Sequence, residues 1–203
     1  MKKLAFIFSA LLCVPCFAND CISYKITPSV NMTFPEYETN IVISKQPLER
    51  LHGHVSANLI NNYDMVLDMY PSGDGFCVIL KKIDAIFGFN KFDVEIDREH
   101  QENSCTYNAI LNHEKKHINT YLDIMNDFKS EIKQSLSAAA DSVMPIYIEK
   151  ESDIDMAFTE LNQEFRAHPD LLLVAQKVNA AQEIRNKQID QNENNSELYS
   201  CYN

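Results

Sequence analysis

The chain has 203 residues, with 29 acidic against 18 basic side chains and a formal net charge of −11 at neutral pH. That balance argues against nucleic acid and anionic membrane surfaces as partners, because both are held by clustered lysine and arginine. Hydrophobic residues make up 45% of the chain, which suits one domain with a sizeable core.

Residues 1–18, "MKKLAFIFSALLCVPCFA", carry two lysines, an apolar run, and small residues ending at Ala18. This is the anatomy of a bacterial secretory signal peptide. The expected mature unit is therefore a single domain over 19–203, periplasmic or secreted, with no membrane insertion after cleavage; left uncleaved, the same segment would act as an anchor. Losing Lys2 and Lys3 moves the formal charge from −11 to −13. No later stretch approaches the roughly 18 apolar residues of a spanning helix.

Cys21, Cys77, Cys105 and Cys201 remain beyond the signal. Four cysteines in an oxidising compartment imply two disulfides. The expected pairing is Cys77–Cys105, tying the strand region to the helical one, with Cys21–Cys201 stapling the termini. No C-x-x-C pair is present, which argues against a structural zinc knuckle.

Residues 21–100 read as strand-rich. "CISYKI", "TNIVIS", "YDMVLDMY", "FCVILKKIDAIF" and "KFDVEID" are β-branched or aromatic, partly alternating, and separated by turn formers such as "PSGDG". One helix is expected among them, "PLERLHGHVSANLINN", with Pro47 in its first turn. On such a helix His52 and His54 would diverge by about 200° and could not share a metal. Residues 105–190 read as helical. A first helix runs from Cys105 without proline or glycine until Pro145. A second starts at "ESDIDMAFTELNQEF", with Ser152 and Asp155 as a capping pair, and breaks at His168-Pro169. A third runs from Asp170 to about Asp190. Mostly antiparallel strands followed by helices indicate an α+β fold.

The first long helix contains "LNHEKKHINTY", and within it His113-Glu114-x-x-His117. Advancing about 100° per residue from His113 places Ile110, Ile118, Tyr121, Ile124, Met125, Phe128 and Ile132 in an arc of roughly 20° to 180°. Both histidines sit at the edge of that arc, and Lys115 and Lys116 fall outside it. Glu114 sits near its middle, at about 100°. An idle carboxylate does not belong there, because burying one unpaired costs several kcal/mol or forces it to take a proton. Two imidazoles one turn apart can supply two metal ligands. A carboxylate between them can take a proton from an activated water and pass it to a leaving amine. The competing reading is a buried Glu–Lys or Glu–Tyr pair with two core histidines.

A strand region with a cysteine, then a second cysteine, then "AILNHEKKHINTYLDIM", resembles a family of bacterial secreted zinc-dependent proteases of unknown substrate. The resemblance covers roughly Cys77 to Met125. It implies a zincin-like domain with one Zn2+ per chain, His113 and His117 as metal ligands, and Glu114 as catalytic base. It also implies polar signatures in the last helix, where this chain has "AAQEIRNKQID".

A catalytic zinc takes three protein ligands and keeps one position open. The candidates for the third are Asp123, Glu164, His168 and Glu183. Asp123 points away from the buried face of a continuing helix. Glu164 and His168 flank the apolar stripe of Ile154, Ala157, Phe158, Leu161 and Phe165. The expected function is a metallopeptidase acting on peptide or protein in the cell envelope. The alternatives are a non-catalytic periplasmic binding or adaptor protein with an amphipathic helical surface, and a zinc-binding protein without turnover.

Overall fold

The computed structural model describes residues 20–48, 52–192 and 200–202; the signal segment lies outside them. The architecture is α+β, a five-stranded sheet covered by three helices. In chain order the elements are β1 (Ser29–Thr33), β2 (Glu38–Ile43), β3 (Gly53–Ser72), β4 (Gly75–Ile96), α1 (Cys105–Ser142), β5 (Ile146–Ile148), α2 (Ile154–Arg166) and α3 (Pro169–Asn192). No helix among the described residues is long and apolar enough to cross a membrane.

The long β3–β4 hairpin is the frame. Its two-residue turn opens on Gly73 at φ +58°, with no side-chain neighbour to constrain it; the left-handed backbone is what demands glycine there. β3 pairs antiparallel with β4 from Gly53↔Ile96 to Ser72↔Gly75 and so occupies one edge of β4 throughout. A strand has only two edges. β5 (antiparallel), β1 and β2 (both parallel) therefore line up end to end along the other, at residues 76–78, 82–86 and 91–96.

Two irregularities in the hairpin register fall beside Lys81 and Asn90, and each shifts the alternation by one residue. The helix-facing set of β4 accordingly changes from Val78 and Leu80 to Ile83, Ala85, Phe87 and Phe89, and then to Phe92, Val94 and Ile96, all buried. The opposite face carries paired polar side chains. Lys82 and Asn31 both bond Asp84, and nine residues on Lys91 and Asn40 repeat the pattern on Asp93.

α1 is 38 residues, about 57 Å at 1.5 Å per residue, and lies along the sheet. Ser104 caps it by accepting from the Tyr107 amide at 3.1 Å. Its buried residues include Ile110, Glu114, His117, Ile118, Ile124, Met125, Ile132 and Leu136, the arc expected from the sequence, while Lys115 is exposed. α2 buries Ala157, Leu161 and Phe165, whereas Phe158 is 40% exposed. α3 runs antiparallel to α1, which Lys177–Glu131 and Arg185–Asp127 ion pairs record.

Four expectations need correction. The helix expected over 47–62 is the start of β3 from Gly53 onward; residues 49–51 lie outside the described set. Gly53 inside the segment, β-branched Val55 and a complete ladder to β4 override the proline start signal. "CISYKI" is not a strand, because Asp20–Tyr24 forms a 3-10 turn against the hairpin tip, with Tyr24 donating to the Pro71 carbonyl at 3.1 Å. The expected capping pair Ser152 and Asp155 is replaced by a 3-10 turn at Glu151–Asp153 with no side-chain cap on α2.

The disulfides are Cys21–Cys77 and Cys105–Cys201, not Cys77–Cys105 and Cys21–Cys201. Cys77 lies near the hairpin tip and α1 begins beyond the other end of β4, so roughly 60 Å of strand at about 3.3 Å per residue separates the regions. Cysteine Cα atoms must come within about 7 Å to bridge. Non-reducing peptide mapping should recover the observed pairs. Replacing Cys105 and Cys201 with alanine should destabilise the fold by about 2–5 kcal/mol in urea unfolding.

Candidate metal centre

The site forms where the N-terminal third of α1 meets the C-terminal end of α3, alongside the first residues of β3. His113 and His117 stand one turn apart on α1, with their Nε2 atoms 3.1 Å apart. Asp190, near the end of α3, brings Oδ1 to 3.1 Å from His117 Nε2 and 3.4 Å from His113 Nε2. Nitrogen and oxygen ligands held tetrahedrally about 2.0–2.1 Å from zinc lie about 3.3 Å from one another, so these three atoms have the spacing that one such ion requires.

The tautomer of His117 agrees. Its Nδ1 lies 2.9 Å from Asn186 Oδ1, which accepts the Nδ1 proton. Neutral His117 then presents a bare lone pair on Nε2, facing His113 and Asp190. Asn186 precedes Asp190 by one turn of α3, so one face of that helix supplies both the carboxylate and the carboxamide. Asn186 also hydrogen-bonds the Tyr121 hydroxyl, and burial followed by the charge of Glu114 pushes the Tyr121 pKa up against that bond. The Tyr121 ring packs 5.0 Å from Phe89 and 6.0 Å from Phe92, centroid to centroid, which seats this part of α1 on the sheet.

Glu114 is 4% exposed. Burial raises its pKa above the ordinary carboxylate range; His117, His113 and His54 oppose that, and Asp190 adds to it. The closeness of β3 explains the burial. A Cβ at Gly53 would stand 2.5 Å from Ile110 Cγ2 and 2.8 Å from Glu114 Oε1, so only glycine lets the strand approach the helix here. His54, the next residue of β3, is exposed and within electrostatic reach of Glu114.

The structure brings His113, Glu114 and His117 together and leaves the four candidate third ligands elsewhere. Asp123 is exposed. Glu164 accepts from the Met144 amide, and His168 Nδ1 accepts from the Asp170 amide. Glu183 shares a helix face with Asn186 and Asp190 but precedes Asp190 by two turns, about 10 Å along the axis. Asp190 was missed, although Glu183, Asn186 and Asp190 form an i, i+3, i+7 polar stripe in "AAQEIRNKQID" that the sequence displays.

Comparison with protein-family models, with curated proteins and with solved structures gives no match for this chain.

Gly53→Ala should destabilise the protein by about 1–3 kcal/mol through overpacking. Combined with Ile110→Ala it should cost less than the two single changes together, because the nearest clash is with Ile110 Cγ2. A urea-unfolding double-mutant cycle measures that coupling.

Proposed function

We propose that the protein is a zinc-dependent metallohydrolase of the zincin type, acting on peptide bonds outside the cytoplasm. The observation that carries the reading is the convergence of His113 Nε2, His117 Nε2 and Asp190 Oδ1 within 3.4 Å of one another, beside the buried carboxylate of Glu114. Two imidazoles and one carboxylate from facing helices match the donor set of hydrolytic zinc sites, which keep a fourth position open. The two disulfides accord with an oxidising compartment.

A zinc ion held by these residues would act as a Lewis acid toward a scissile carbonyl and would acidify a water beside Glu114. Glu114 is the general base. Its carboxylate would take a proton from that water, and the same carboxyl would then deliver it to the departing amine. Asn186 fixes the His117 ring with its Nε2 lone pair inward. Among the described residues no strand pairs with the second edge of β3, which runs out from Gly53 beside Glu114. Its open amides and carbonyls can pair with an extended peptide, and this favours a peptide over a small amide as substrate.

The purified mature protein should contain about one zinc ion at this site. His113→Ala, His117→Ala and Asp190→Ala should each lose it, as read by elemental analysis. Glu114→Gln should keep the metal and lose roughly 10²–10⁴ of peptide-hydrolysis rate. Full zinc occupancy with no hydrolysis of any peptide by the wild type would leave a zinc-binding protein without turnover. Wild type that never holds metal after growth in zinc-replete medium would sink the reading.

Asn186→Ala leaves all three ligands in place and removes the partner of His117 Nδ1, together with the bond to the Tyr121 hydroxyl. It should weaken zinc by about 10–100-fold, measured by competition with a chromophoric chelator.

A further inference from the structure

A second trio of donor atoms converges at the opposite flank of Gly53. His52 Nδ1 lies 3.1 Å from His100 Nε2 and 3.5 Å from Glu99 Oε1, and His100 Nε2 lies 3.3 Å from the same Glu99 oxygen. These separations equal those around His113, His117 and Asp190 to within a few tenths of an ångström. They leave a point about 2 Å from all three atoms, the bond length of a nitrogen- or oxygen-ligated zinc.

The backbone holds these donors in place. The Asp97 amide donates to the His52 carbonyl at 2.8 Å, and the His100 amide donates to the Asp97 carbonyl at 3.1 Å. The Asp97 carboxylate accepts from the Glu99 amide at 3.0 Å and from the Leu48 amide. One buried aspartate thus braces both sides of the cluster at the turn that leaves β4. The His100 ring is itself buried, at 5% exposed, whereas His52 and Glu99 reach solvent. A pre-set buried imidazole with two accessible partners describes a site that an ion can enter without opening the core.

We infer that His52, Glu99 and His100 form a second, exchangeable divalent-metal site, distinct from the one at His113, His117 and Asp190. Two imidazoles and one carboxylate select zinc and similar transition ions over calcium and magnesium, which prefer all-oxygen shells. With three protein donors and solvent access, the fourth position is open to water, unlike the closed four-ligand sites of purely structural zinc. An ion there ties the residue before Gly53 to the turn that leads into α1. It fastens the entry of β3 at the place where that strand presses on Glu114.

The test is isothermal titration of the metal-free, disulfide-intact protein with zinc chloride. The wild type should take up about two ions per chain, and His52→Ala with Glu99→Ala about one. His117→Ala with Asp190→Ala should also take up about one, and the His100 ring resonances should still shift on zinc addition. The exposure of His52 and Glu99 makes their replacement compatible with folding, which far-ultraviolet circular dichroism checks. If the His52/Glu99 double variant takes up as many ions as the wild type, the second site is refuted. If instead only the His117/Asp190 variant matches the wild type, the second site stands and the catalytic-centre reading falls.

Discussion

The Glu114 carboxyl is held out of water by the backbone of β3 on one side and by its own helix on the other, and much of the molecule is arranged around that contact. Burial lifts its pKa. The sign follows directly: ionising a group whose folded pKa is raised works against the fold, so its contribution is most favourable at low pH and is lost as pH rises through the raised value. A protein with no use for that carboxylate gains by replacing it with a methionine or leucine of similar volume. His117, His113 and His54 oppose that shift.

The contact also fixes the register of the sheet. Gly53 must lie against Ile110 and Glu114, and Gly53 pairs with Ile96. From that anchor the hairpin runs away from the site for the full length of β4, and its bulges beside Lys81 and Asn90 keep an apolar face turned to α1 along the way. At the near end the Cys105–Cys201 disulfide joins the first residue of α1 to the segment beyond α3. It holds together the two helix ends that carry His113 and Asp190. The far disulfide, Cys21–Cys77, secures the hairpin tip, at the other end of β4.

Much of α1 was legible in advance because a single helix carries its own coordinates. Periodicity alone placed Glu114 within the buried arc and the two lysines of "HEKKH" outside it; Glu114 is buried and Lys115 exposed, whereas Lys116 is half-buried. Asp190 was not legible in that way. Its place beside His113 and His117 depends on α3 folding back antiparallel along α1, and tertiary docking leaves no local signature beyond a polar stripe that also suits a solvated face. The error over residues 47–62 has the same root. Pro47 satisfies the local rule for a helix start, but from Gly53 onward a strand laddered to β4 along its whole length buries more and satisfies its backbone on that edge. The disulfides were mispaired because cysteine spacing carries no information about which end of a long hairpin each residue occupies.

The same correction changes what His52 can mean. On a helix, His52 and His54 would be two unrelated surface side chains. In the extended chain that enters β3, the pairing with β4 brings His52 against His100, and exposed His54 turns to the face opposite Gly53 and Val55. Gly53 lies between them and is the residue that touches the buried carboxylate. Consecutive positions at the entry of β3 thus serve the His52, Glu99 and His100 cluster and, at Gly53, the packing against Glu114. There is no room for a side chain at Gly53 between the strand and Glu114, so the place of the strand head and the burial of that carboxylate are tied together.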